Sequence, residues 1–100
     1  MEIKNEGNSG RIIPGEKIDL TNSEKLKKEG MKLVEKDINN IILDFKNVKE
    51  ITSSAIGKIL YLSKVTKENN IGLIVKNPNS EYVKKVFDML SLEEELEIIY

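Results

Sequence analysis

A mostly parallel α/β sheet in a single domain is the fold this sequence predicts, and two observations predict it. The runs Ile41-Ile42-Leu43 with Phe45, and Ile71 to Val75, are too short for helices and nearly continuous in apolar character. Buried parallel strands have that pattern. Segments with apolar residues at helical spacing lie between and after them, and such alternation gives parallel strands joined by right-handed crossovers. The chain has 100 residues, of which 39% are hydrophobic and 5% aromatic, with no Trp. That suffices for one domain, residues 1–100, around one aliphatic core.

The elements follow in order. Ile3 alone anchors a short edge strand before the turn signal Gly7-Asn8-Ser9-Gly10. Ile12-Ile13 starts a second strand, interrupted at Pro14-Gly15 and resuming near Ile18; proline fits an edge or bulge there. Thr21-Asn22-Ser23-Glu24 reads as a capping box, with Thr21 as cap and Glu24 three residues on. Leu26, Gly30, Leu33, Val34 and Ile38 then form the inner side of a first helix, and the lysines from Lys25 to Lys36, interspersed with acids, its solvated face. After the strand at Ile41, adjacent serines Ser53 and Ser54 stand where a second helix begins. Ala55, Ile56, Ile59, Leu60, Leu62, Ser63 and Thr66 give its inner face, with Gly57 as a small residue for close helix packing. The strand Ile71 to Val75 closes at Asn77-Pro78-Asn79. A third helix follows, capped by Asn79 or Ser80 and marked by Tyr82, Val83, Val86, Phe87 and Leu90, and Leu96 to Tyr100 makes a last strand. Met31 and Met89 are expected at the core or its edge. The predicted order is β-β-α-β-α-β-α-β, with a central sheet of about four to five strands.

Composition excludes several functions. Lys plus Arg number 16 against 17 Asp plus Glu, a net charge of −1, without the basic excess of a direct nucleic-acid binder. Cys and His are both absent, which removes thiolate and imidazole metal sites, cysteine nucleophiles and histidine bases. No run approaches the length of a transmembrane helix and the N-terminus lacks a signal pattern, so a cytoplasmic protein without membrane insertion is expected. The loops expected at the carboxyl edge of the sheet are Lys17 to Asn22, Lys46 to Ser54 and Lys76 to Ser80. They are rich in hydroxyls and poor in carboxylates. Asp19 and Asp44 are the carboxylates that can pair, although Asp44, inside an apolar strand, reads better as support for neighbouring backbone. No base is spaced to activate a serine, so neither an enzyme nor a cofactor is expected. At the start of the second helix two readings stand side by side: one serine caps the helix and the other fills its first turn, or the hydroxyls mark an anion or phosphorylation site at the positive end of the helix dipole.

Three passages carry a family resemblance across residues 12 to 100. They are Gly15-Glu16-Lys17-Ile18-Asp19-Leu20-Thr21, then Ile42-Leu43-Asp44-Phe45 through Ile51-Thr52-Ser53-Ser54-Ala55-Ile56-Gly57, and Val83 to Leu92 with its Phe, acid and Leu. Together, in this order, they resemble the STAS domain of bacterial anti-sigma factor antagonists and sulfate-transporter tails. Thr52 stands where that family has an aspartate, and Ala55 where it has a glycine. The resemblance implies partner switching in transcriptional regulation. The unphosphorylated antagonist binds an anti-sigma factor with serine kinase activity, phosphorylation releases it, and a phosphatase resets it. Ser53 matches the phosphoacceptor, with Thr52 and Ser54 the adjacent hydroxyls. The implied partner surface comprises Asp19, Thr21, Asn22, Thr52, Ser53, Ser54, Ala55, Lys58 and Tyr61. Free-standing relatives of this fold also serve as subunits of lipid or solute ABC-transport complexes, where the serine is structural.

Overall fold

The computed structural model describes residues 1–100. An N-terminal hairpin pairs β1 (Glu2–Glu6) antiparallel with β2 (Ser9–Ile13) across the two-residue loop Gly7-Asn8. Gly7 adopts φ +65°, which a tight hairpin loop requires and glycine reaches without steric cost. The chain continues through a two-residue strand β3 (Lys17–Ile18), helix α1 (Leu20–Val34), β4 (Asn40–Asp44) and a second two-residue strand β5 (Glu50–Ile51). Helix α2 (Ser53–Glu68), β6 (Gly72–Lys76), α3 (Glu81–Met89), a 3-10 turn (Leu92–Glu94) and β7 (Glu97–Ile99) complete it.

Five strands form one sheet in the order β1-β2-β4-β6-β7, and β2, β4, β6 and β7 are parallel. The remaining pair, β3 and β5, forms a separate parallel ladder that the sequence pattern does not predict, because two residues are too few to carry a period. From β2 onward every crossover steps to the same side. Right-handed crossovers that all step one way put every helix on one face. The register sets Ile12, Leu43, Val75 and Ile98 in a row on the helical face, and Arg11, Ile42, Ile74 and Glu97 on the other. Because the strand order never reverses, the sheet has no switch-point crevice of the kind that holds nucleotides in doubly wound folds.

On the helical face one aliphatic core joins all layers, with Phe45 stacked against Phe87 of α3 at 5.8 Å between ring centroids. Helices α1 and α2 approach closely at Gly30, where a Cβ would lie 2.8 Å from the Leu62 methyls. Met31 sits at the core edge as expected, whereas Met89 is exposed, because its position on α3 faces away from the side that buries Val83 and Phe87. No helix is long and apolar enough to cross a membrane.

The apolar runs of β4 and β6 predict burial on both sides, but the second side is shielded by side chains rather than helices. Arg11 reaches across it, donating from Nη1 to Asp44 Oδ2 and from Nε to Glu6 Oε1, each at 2.8 Å. Asp44 Oδ1 also accepts from Asn77 Nδ2 and from the Lys46 amide, both at 3.1 Å. Asp44 therefore does support neighbouring backbone, and it is not paired with Asp19, which lies at the start of α1. Burial is the strongest single influence on Asp44 and pushes its pKa up. The bonds from Asn77 and Lys46 and the Arg11 charge together outweigh it, and the carboxyl is held below its ordinary range. A carboxylate with a depressed folded pKa adds stability that is complete above its unfolded pKa and is lost as pH falls through the folded value. Acid titration of wild type thus loses this contribution below about pH 4. Asp44→Asn is expected to be less stable at neutral pH by about 2 kcal/mol and to show a flatter acid limb in urea denaturation followed by circular dichroism.

Candidate functional site

The site is assembled by the short ladder of β3 and β5. Each strand runs directly into a helix, and their parallel pairing places the N-termini of α1 and α2 side by side. The sequence repeats one motif at both places: Lys17-Ile18-Asp19 and Glu50-Ile51-Thr52 each read as charge, buried isoleucine, helix cap. Lys17 and Glu50 face each other at 3.8 Å, an exposed pair of small energetic weight. The ladder extends into the loops, where the Lys49 amide donates to the Glu16 carbonyl and the Thr52 amide to the Ile18 carbonyl.

Asp19, not Thr21, caps α1: its Oδ1 accepts from the Asn22 amide at 2.9 Å. The ladder fixes Ile18 as the last extended residue, so the helix starts earlier than the Thr21–Glu24 box suggests. Thr21 is exposed within the first turn, Asn22 ties back to the Lys17 carbonyl at 2.7 Å, and Glu24 reaches across to Lys58 instead. Thr52 caps α2, accepting from the Ala55 amide at 3.3 Å while its hydroxyl donates to the Ile18 carbonyl at 3.2 Å. The threonine thus joins the two helix starts, and an aspartate could not make the second bond. Helix α3 is capped by Ser80, whose hydroxyl also donates to the Lys49 carbonyl at 3.1 Å.

Neither serine caps α2. Ser54 Oγ lies 3.2 Å from Ser23 Oγ of α1, so its hydroxyl belongs to the seam between the helices. Ser53 is the first helical residue and is exposed; the bonds at this helix start go to its two neighbours, and its hydroxyl is left to solvent. Ala55 is fully buried in the core, as its place on the inner face of the helix predicts, and so cannot belong to the implied partner surface. Lys58 bonds Glu24 at 2.9 Å, a contact that holds the Glu24 carboxyl below its usual range. Tyr61 is exposed with Lys27 Nζ 4.3 Å from its ring centroid. Glu24 joins this surface without having been expected there, and the buried Ser23 supports it from the seam between the helices. Leu20 is 65% exposed in the first turn of α1, and the repeated charge-isoleucine-cap motif was the signal that could have placed it beside Ser53. Gly57 is not a packing glycine: a Cβ there would meet nothing within 4 Å.

Two hollows flank this region. One of about 450 Å³ lies beside Thr52, lined by Lys17, Lys49, Glu50, Ile51 and Tyr82, and both lysines are already paired with glutamates. The other, about 710 Å³, lies along α3 against Tyr100, shares Tyr82 with the first, and includes none of the expected site residues. The chemistry on offer is therefore a surface with two free hydroxyls at the paired helix N-termini, Ser53 at the start of α2 and Thr21 in the first turn of α1.

The STAS domain model matches residues 6–100. The chain belongs to the STAS family. Comparison of this STAS domain with curated proteins returns no significant match. Among solved structures it resembles the anti-sigma factor antagonist SpoIIAA in its unphosphorylated form, with a TM-score of 0.84 at 19% identity over 97% of this chain and 85% of that one. The Thermotoga maritima protein TM1081 superposes with a TM-score of 0.88 at 22% identity, covering 99% and 85% of the two chains. Phosphorylated SpoIIAA of Bacillus gives 0.76 at 18% identity over 97% and 88%. At these identities the likeness is one of fold.

The bonding pattern separates the three hydroxyls in energy. Thr52→Val loses both bonds and is expected to lower stability by about 1–2 kcal/mol, whereas Ser53→Ala changes it by less than about 0.5 kcal/mol. Thermal melts of the two variants check this.

Proposed function

We propose that this STAS domain is a non-enzymatic anti-sigma factor antagonist of the bacterial cytoplasm, switched at Ser53. In its unphosphorylated form it binds an anti-sigma factor that is also a serine kinase. Phosphorylation of Ser53 dissociates the pair, and a phosphatase restores the antagonist. The observation that carries this reading is the free Ser53 hydroxyl at the start of α2, where the hydroxyls on either side of it, Thr52 and Ser54, are committed to internal bonds. A kinase can take Ser53 without breaking anything in the fold.

The physics of the switch follows from that position. A phosphoryl group adds roughly −1.5 to −2 charges and three acceptor oxygens at neutral pH. At a helix N-terminus the domain tolerates that charge, since unpaired amides and the dipole favour an anion there. No acid stands in the first turn of α1 or α2, and the one carboxylate at these starts, the Asp19 cap, is bonded to the Asn22 amide. A partner seated over the same spot has to desolvate the charge and loses the contact. The alternative role, a subunit of a transport complex, asks only for a structural serine or threonine at this helix start, which Thr52 and Ser54 supply; the unbonded Ser53 is what favours the switch.

The test uses the GHKL-type serine kinases of the source organism, each purified and incubated with the domain and MgATP. Tandem mass spectrometry is expected to place phosphate on Ser53. Ser53→Asp is expected to weaken kinase binding at least about 100-fold, about 3 kcal/mol, with an unchanged melting temperature. Phosphate on Thr52 or Ser54, or equal binding by wild type and Ser53→Asp, contradicts the proposal.

A further inference from the structure

Two of the glycines in this chain lie inside helices, and only one is explained by the fold. Gly30 sits where a Cβ would press on the Leu62 methyls at 2.8 Å. At Gly57 a Cβ would meet no atom within 4 Å, and the backbone there is ordinary right-handed helix with no positive φ. A helix interior is the worst place for glycine short of proline, since alanine loses less backbone entropy and hides more backbone from water. Nothing inside the molecule compensates for glycine at this position.

Its location suggests what does. Ser53, Gly57 and Tyr61 follow at intervals of four and share one exposed face of α2. Gly57 therefore leaves a bare saddle of helix backbone between the free hydroxyl and the tyrosine ring. Lys58, pinned to Glu24, and Lys27, held over Tyr61, stand at the seam with α1, and Leu20 is exposed at the start of that helix. The surrounding charge has a definite sign. Residues 19–35 and 52–69, the two helices with their caps, carry seven lysines against five acids, whereas residues 88–97 carry five acids and no lysine. The near-zero net charge thus conceals a modest positive excess on α1 and α2 and an acidic C-terminal segment.

Resting on the antagonist reading above, we infer that Gly57 is a contact position of the partner interface. The partner seats an apolar side chain on the Gly57 saddle, against the Tyr61 ring, from a surface that is acidic around that projection. The inference also accounts for the direction of the switch: a phosphoryl group on Ser53, one turn away, sets negative charge against an acidic partner surface that the lysines otherwise attract. Specificity then comes from a projection that fits only where the helix lacks a Cβ, with the lysines supplying orientation and association rate.

The experiment pairs stability with affinity, using whichever purified GHKL-type kinase binds the wild-type domain. Wild type, Gly57→Ala and Gly57→Leu are melted by circular dichroism and titrated with that kinase by calorimetry. Gly57→Ala is expected to melt about 4–8 °C higher while binding at least about tenfold more weakly. Gly57→Leu is expected to fold and to lose binding. Affinity of the wild type is expected to fall as sodium chloride is raised. Equal affinity of all three proteins overturns the contact role of Gly57, and salt-independent affinity overturns the acidic surface. If no kinase binds even the wild type, the antagonist reading itself fails and this inference falls with it.

Discussion

Parallel pairing of two dipeptide strands, Lys17–Ile18 with Glu50–Ile51, is the constraint on which the working surface depends. By itself so short a ladder has little stability. It is held by the burial of Ile18 and Ile51 in the core and by the Thr52 hydroxyl, which bonds the Ile18 carbonyl while capping α2. Once those bonds are made, the two helix starts cannot move independently. The Ser23–Ser54, Glu24–Lys58 and Lys27–Tyr61 contacts then continue the same alignment along the helices. Thr52 makes a bond that an aspartate cannot. The family's usual carboxylate is thereby exchanged for a mechanical link between β3 and α2.

The winding of the sheet explains why the candidate site is a surface rather than a cleft. With all crossovers stepping one way, the helices share a face and no crevice opens between diverging strands. What remains at the carboxyl ends of the strands is a platform of helix N-termini. Such a platform suits recognition by another macromolecule. It also suits regulation by charge, because a group added there changes what a partner meets while the bonds beneath it stay in place.

Much of the fold was legible in the sequence because it rests on patterns that survive without tertiary information. The apolar runs at Ile41 and Ile71 and the helical spacing around them gave the sheet and its crossovers. The site was legible only in part. Ser53 and its neighbours were identified, but their bonding roles were not, since a cap is chosen by where the preceding residue is pinned. Pairing of Ile18 and Ile51 fixed the caps at Asp19 and Thr52, one or two residues earlier than local capping preference indicates. Ala55 lies in the core, as the helical spacing indicated, which removes it from the surface that the family resemblance implied. Gly57 invited the opposite error: a glycine within a helix suggests tight packing, and only the coordinates show the space above it to be empty. The polar shield of Arg11 and Asp44 was likewise invisible, because residues 33 apart in sequence meet only once the strand order is known.

The account holds that charge can be added at Ser53 without disturbing the frame that presents it. Amide NMR spectra of wild type and of the domain phosphorylated at Ser53 test this most directly. Shift changes confined to residues near the starts of α1 and α2, with sheet residues such as Leu43 and Val75 unmoved, are the predicted result. Shifts spreading through the sheet, or loss of dispersion, would mean that Ser53 is part of the structure that holds the helices together, and would contradict the account.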